Sequence, residues 1–123
     1  MAVLQDLIVW QLADQLRSQV ATLTQLPAAR RDFSICRQIQ ASAGSVVANI
    51  AEGYGRRNHG DFARFVDYAS GSLRETEQWL RDGLGRQLWC GDDIEPAYAL
   101  CRRLTPALGN LRRYLRSTKT PET

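Results

Sequence analysis

Residues 42–57 read S-A-G-S-V-V-A-N-I-A-E-G-Y-G-R-R, and this stretch narrows what the chain can fold into. Ser42, Ala43, Gly44, Ser45 and Ala48 are small, and small side chains let a second helix approach closely. Val46, Val47 and Ile50 supply an apolar face between them. Asn49 and Glu52 are three residues apart, so they share a helix surface. Gly53 and Gly55 are placed to end the helix through the left-handed backbone that glycine adopts readily. Arg56 and Arg57 follow, where positive charge complements a helix C-terminus. The pattern predicts a tightly packed helix with a polar pair set into it.

The rest of the chain repeats the helical period. Asp6 is placed to cap a first helix whose stripe is Ile8, Leu12, Leu16, Val20 and Leu23, widened by Trp10 and Ala13 and closed by Pro27. A loop over residues 28–32 carries Arg30 and Arg31, with Asp32 as the next N-cap. The second helix is expected over residues 33–53, with Phe33, Cys36, Ile39, Ala43, Val46 and Ile50 inward. After a glycine-rich turn, Asp61 opens a third helix buried through Phe62, Phe65, Val66, Ala69, Leu73, Thr76 and Leu80. Its small patch, Ser70, Gly71 and Ser72, is expected to face the small patch of the second helix in an antiparallel hairpin. Gly83, Gly85 and Gly91 surround the third turn, with Trp89 between them. Asp92 and Asp93 offer the cap of a fourth helix, Pro96 sits in its first turn, and Ala97, Leu100, Cys101, Leu104, Leu108, Leu111 and Leu115 form its stripe, with a kink expected at Pro106. The segment after Ser117 is expected to be disordered. No strand pattern or internal repeat appears. The prediction is an all-α fold, an antiparallel up-down-up-down four-helix bundle, as one domain over residues 1–123.

Composition limits the function. The chain has 123 residues, 44% hydrophobic and 24% charged, ordinary values for one globular domain. The longest charge-free run, residues 38–51, is 14 residues long and rich in Ser, Gln and Asn, too short and polar to span a bilayer. No basic segment followed by an apolar run opens the chain, so a cytoplasmic location is expected. Cys36, Cys90 and Cys101 are an odd count without a C-x-x-C pair, against a disulfide framework. The only histidine is His59, expected as a solvated loop residue, so a dinuclear centre built from two Glu-x-x-His pairs is excluded, and no cysteine–histidine spacing suits zinc. No metal, cofactor or membrane partner is expected, and phosphate-loop, dinucleotide and nucleophile-elbow motifs are absent.

Two constellations remain. Ser45, Asn49 and Glu52, meeting Ser72 and Glu75 across the hairpin, form either an active-site cluster or a network that fixes register. The second reading is preferred, because no nucleophile with an adjacent base is evident; the chain is read as non-enzymatic. The other constellation is basic. Positive charge is almost all arginine, fifteen Arg and one Lys, with net charge +3. From Pro96 to Lys119 there are six positive charges and no acidic residue. Arg102, Arg113 and Arg116 cluster opposite the leucine stripe, flanked by Arg103, Arg112 and Lys119, and Arg56 and Arg57 add to the basic surface. Such a face binds phosphate backbone, or is simply the solvated side of a bundle helix. Tyr114 is the one exposed aromatic candidate there, so no aromatic interleaving supports single-strand stacking.

Three segments together, D-L-I-V-W-Q-L-A (residues 6–13), S-V-V-A-N-I-A-E-G-Y-G-R (45–56) and F-A-R-F-V-D-Y-A-S-G-S-L-R-E (62–75), resemble the small four-helix-bundle proteins encoded in intervening sequences of bacterial 23S ribosomal RNA genes. The likeness runs from Asp6 to about Leu115. It implies an antiparallel bundle that assembles into ring-like homo-oligomers, typically homopentamers, mostly without assigned activity. A related branch accompanies diversity-generating retroelements, and for it the resemblance implies contact with nucleic acid and a partner protein. Gln40 and Ala41 stand where members usually carry two basic residues, and Val47 where proline is common, which weakens the implied nucleic-acid contact and leaves the implied fold intact. The expectation is a homo-oligomer acting as an RNA- or DNA-binding adapter. The alternative is a protein–protein scaffold with interfaces at exposed apolar residues such as Val9, Trp10, Trp79 and Tyr98.

Overall fold

The computed structural model describes residues 3–121. A 3-10 turn, Leu4–Asp6, leads into α1 (Ile8–Leu23); a single helical turn, α2 (Pro27–Arg30), precedes α3 (Phe33–Tyr54), α4 (His59–Gly85) and α5 (Gly91–Ser117). Among the described residues there is no strand, and no helix is long and apolar enough to cross a membrane. α1 packs on α3 and α5, and α4 packs on α3 and α5, so the four long helices occupy the corners of an antiparallel bundle. Its interior is filled by Leu16, Val20, Ile39, Val46, Ile50, Val66, Leu73, Leu80, Leu104 and Leu108, all fully buried.

The α3–α4 hairpin is the closest-packed seam. Ser45 Oγ and Ser72 Oγ are 2.8 Å apart. Three residues back along α3, the buried Thr76 hydroxyl shares its proton between Ser42 Oγ, at 2.9 Å, and the Ser72 carbonyl, also at 2.9 Å. The two small patches do face each other, and the hydroxyls satisfy one another where a bare serine would be costly to bury. Further down the seam Gly53 is the penultimate residue of α3. A Cβ there would fall 2.7 Å from Phe62 Cδ1 and 2.9 Å from Phe65 Cβ. Gly55 caps α3 with φ −73°, an ordinary right-handed value. The two glycines therefore permit close approach and a turn without any left-handed backbone, contrary to the sequence expectation.

Several boundaries also differ. Asp6 does not cap α1. Its carboxylate accepts from the Val3 amide at 3.1 Å and Leu7 is the capping residue. Ile8 is exposed and Val9 buried, because at 100° per residue Val9 sits on the centre of the Leu12–Leu16–Val20 stripe and Ile8 about 90° off it. Phe33 is 77% exposed; the buried residue is Ile35, and two residues are about 200° of helix rotation. Residues 27–30 are helical, with Pro27 at the first position, where its missing N–H costs nothing. Asp32 caps α3 as expected, accepting from the Ile35 amide at 3.1 Å and from Arg86 at 2.9 Å. That amide, then Arg86, hold its carboxyl below the usual carboxylate range. α4 starts at His59, capped by Asn58, whose side chain accepts from the Asp61 amide. α5 starts at Gly91, so Pro96 falls in its second turn, and Asp93 reaches back to the Cys90 amide.

The turn after α4 carries its own lock. Gln87 takes φ 61°, and the amides of Leu88 and Gln87 donate to the Gly83 and Leu84 carbonyls at 2.9 and 3.1 Å. These are the two bonds of a Schellman C-cap, with glutamine in the left-handed position. Trp89 then folds back over Gly83, 4% exposed, and donates to the Leu80 carbonyl at 2.9 Å. At the other end, Thr120 Oγ1 accepts from the His59 amide at 2.8 Å, and His59 Nδ1 lies 3.0 Å from Thr118 Oγ1. His59 is thus a half-buried helix-start residue, and the described part of the segment after Ser117 is tied to α4; residues 1–2 and 122–123 lie outside the described residues.

Candidate nucleic-acid interface

The polar cluster predicted along the hairpin forms only in part. Ser45 and Ser72 pair, and Asn49 Nδ2 donates to the Ser45 carbonyl at 2.8 Å and Oγ at 3.0 Å. Glu52 is exposed and accepts from Arg56 at 3.0 Å; Glu75 is exposed and accepts from Trp79 Nε1 at 3.1 Å. Neither carboxylate joins the hydroxyl cluster. Each is turned to solvent and held by a residue four positions on, Trp79 on the same helix and Arg56 in the turn just past the end of α3. What remains between the helices is hydroxyls and one amide bonded to each other. Among the described residues no buried polar side-chain atom lacks a partner, and no group of three His, Cys, Asp or Glu gathers as a metal site would require.

The basic residues divide by height in the bundle. α3 ends, α4 begins and α5 ends at the same end. Arg56, Arg57, Arg64, Arg112, Arg113, Arg116 and Lys119 collect there, against the carboxylates of Asp6, Glu52, Asp61 and Asp67. Seven cations against four carboxylates leave an excess of about three charges, as large as that of the whole chain, +3. Arg102 and Arg103 do not belong to this end. Ten residues of helix, roughly 15 Å, separate Arg102 from Arg112, and Arg102 is paired with Glu95.

Local contacts order the end. Asp67 of α4 accepts from Arg112 Nε at 2.5 Å and lies 3.6 Å from Arg116. Arg113 donates to Asn110 at 2.9 Å. The Arg56 guanidinium lies 4.9 Å from the Phe65 ring centre and that of Arg64 lies 5.7 Å from it. Phe65 and Tyr68 meet edge to face, centroids 5.5 Å apart, and Tyr68 is 51% exposed. Tyr114, also exposed, lies 5.9 Å from the His59 ring. The sequence reading missed this group. Phe65 reads as core by its apolar character, although spacings of one, three and four place Arg64, Phe65 and Tyr68 on adjoining faces of a helix. Asp67 was missed because it answers α5 from another helix.

Residues 5–110 match the family model described as 23S rRNA-intervening sequence protein. The chain belongs to this family. Among solved structures, it is similar to a protein of unknown function from the S23 ribosomal protein family of Bacteroides thetaiotaomicron, with 19% identity and a TM-score of 0.64 over 89% of this chain and 96% of that one. At that identity the likeness shows the shared fold. A comparison with curated proteins finds no match. The resemblance read from three sequence segments therefore holds, as does the all-α bundle. The apolar residues expected as scaffold interfaces sit differently. Val9 is buried, and Trp10, Trp79 and Tyr98 pack half-buried against the core, whereas Phe33, Ile8 and Leu84 are exposed.

Proposed function

We propose that this protein is a non-enzymatic, homo-oligomeric adapter that binds nucleic acid through the basic end of its bundle. The observation that carries the reading is the gathering of about three excess positive charges at one end, in arginines of the α3–α4 turn, α4 and α5. Guanidinium forks suit phosphate, and clustered charge releases counterions on binding a polyanion. In this reading it acts in the cytoplasm. The hydroxyl and amide cluster between α3 and α4 serves register, which supports a structural rather than a chemical role for it.

The test is polynucleotide binding titrated with salt. Binding is expected at about 50 mM salt, falling with a log–log slope of roughly −0.7 to −0.9 per phosphate contacted. Arg113→Glu and Arg57→Glu should weaken it on any sequence, and Arg102→Glu, in the middle of α5 and away from the basic end, should weaken it much less. No binding to RNA or DNA at low salt would refute the nucleic-acid reading. A monomeric mass in sedimentation would refute the homo-oligomer. A second reading, a protein-binding scaffold, is favoured by Phe33, whose 77% exposed ring on α3 has the character of an interface anchor.

A further inference from the structure

We propose that the Phe65–Tyr68 pair, with Arg56 and Arg64 around it, is a base-stacking platform that makes this protein prefer single-stranded over double-stranded polynucleotide. The inference rests on the nucleic-acid reading and narrows it. Phe65 is half-buried and both guanidinium groups lie over its ring, so its faces are already engaged. Tyr68 differs. It stands edge to face on Phe65, which fixes its ring, and half of its own surface is open. A ring held by packing and open to solvent loses little freedom when a base stacks on it. Unpaired bases offer such a face; bases inside a duplex do not.

The charges fit the same ligand. Arg56 pairs with Glu52 at 3.0 Å and Arg64 with Asp61 at 3.5 Å, both on the surface. Exposed pairs of this kind contribute little, so a phosphate can take either guanidinium in exchange. On the far side of Tyr68, Asp67 holds Arg112 and Arg116. A strand crossing α4 at Tyr68 thus meets arginines of the α3–α4 turn, of α4 and of α5, with one open aromatic among them.

The experiment compares a labelled oligothymidylate, an oligouridylate and a duplex by fluorescence anisotropy, using the full chain. The wild type should bind both single strands more tightly than the duplex. Tyr68→Ala should lower single-strand affinity roughly 5- to 150-fold, the range for loss of one stacked base. It should leave duplex affinity and the salt slope unchanged, because it removes no phosphate contact. Tyr68→Trp should restore single-strand binding, and circular dichroism and sedimentation of both variants should match the wild type. Tight single-strand binding untouched by Tyr68→Ala, or equal losses on single strand and duplex, would overturn the platform while leaving the adapter standing. So would a changed assembly mass for Tyr68→Ala, which would place the ring between copies of the chain. If the wild type binds no polynucleotide at all, the adapter falls and the platform with it.

Discussion

Gly83→Ala should destabilise this protein even though it replaces the poorest ordinary helix former with the best. A Cβ at Gly83 would lie 2.1 Å from Trp89 Cζ2, 2.3 Å from Cε2 and 2.7 Å from Nε1. The indole is a rigid bicycle, 4% exposed and tied to the Leu80 carbonyl, so it cannot yield by rotating one terminal atom. Expelling a buried tryptophan costs about 3–5 kcal/mol by the measure of Trp→Ala substitutions. Alanine returns about 1 kcal/mol of helix propensity. The net loss is about 2–4 kcal/mol, or roughly 8–16 °C in Tm for a domain of this size. Thermal melts followed by circular dichroism give the stability, and a red shift in tryptophan emission reports the displaced ring. In a Trp89→Ala background the same Gly83→Ala change should become stabilising by about 1 kcal/mol, since only the propensity term remains. Gly109→Ala, in α5 with nothing within 4 Å of the added Cβ, should likewise stabilise, by about 0.5–1 kcal/mol. If Gly83→Ala melts at or above the wild-type temperature, the Trp89 lock is not what the geometry implies.

Two further outcomes follow from the same structure. Asp67→Asn removes the carboxylate shared by Arg112 and Arg116, so polynucleotide binding should tighten at low salt and its salt slope should steepen by about one phosphate contact; weaker binding would mean that Asp67 orders these arginines for their ligand. At pH 8 a thiol reagent should label the exposed Cys90 first and Cys36 more slowly, because burial and the charge of Asp32 raise the Cys36 thiol and its Sγ donates to the Ala29 carbonyl at 3.1 Å. Cys101, pushed up to about 12 chiefly by burial, should react only after unfolding, and three thiols reacting at one rate would contradict this. The same shift has a sign in stability. The folded state keeps the Cys101 proton when an unfolded chain would lose it, so this contribution is complete below pH 9.0 and fades as pH rises toward 12.

The architecture was readable because periodicity and residue size are local quantities. Leucine and isoleucine at helical spacing give the stripes, and Ser42, Ser45 and Ser72 announce the seam by being too small to hold another helix away. The errors came from phase and from tertiary partners. Phe33 and Ile8 have the right chemistry for a core but the wrong angle. Gly53 has the chemistry of a helix end, yet it is used for the close approach of Phe62 and Phe65. Glu52 and Glu75 share a helix with the hydroxyl cluster, but their length lets them find solvent and a partner one turn on. The platform was hidden for a related reason. Arg56 reaches Phe65 only after α3 and α4 fold back on each other, and Asp67 meets Arg112 across 45 residues of chain.

Because its arginine excess sits at one tip, the bundle has a direction, like a bar with one charged pole. Copies standing shoulder to shoulder with a common orientation would add their poles into a single broad cationic face, leaving the Trp89 tip as the neutral back. Copies alternating in orientation would spread that charge over both faces. The geometry of self-association would therefore decide whether a long polyanion meets one continuous track or separate small ones.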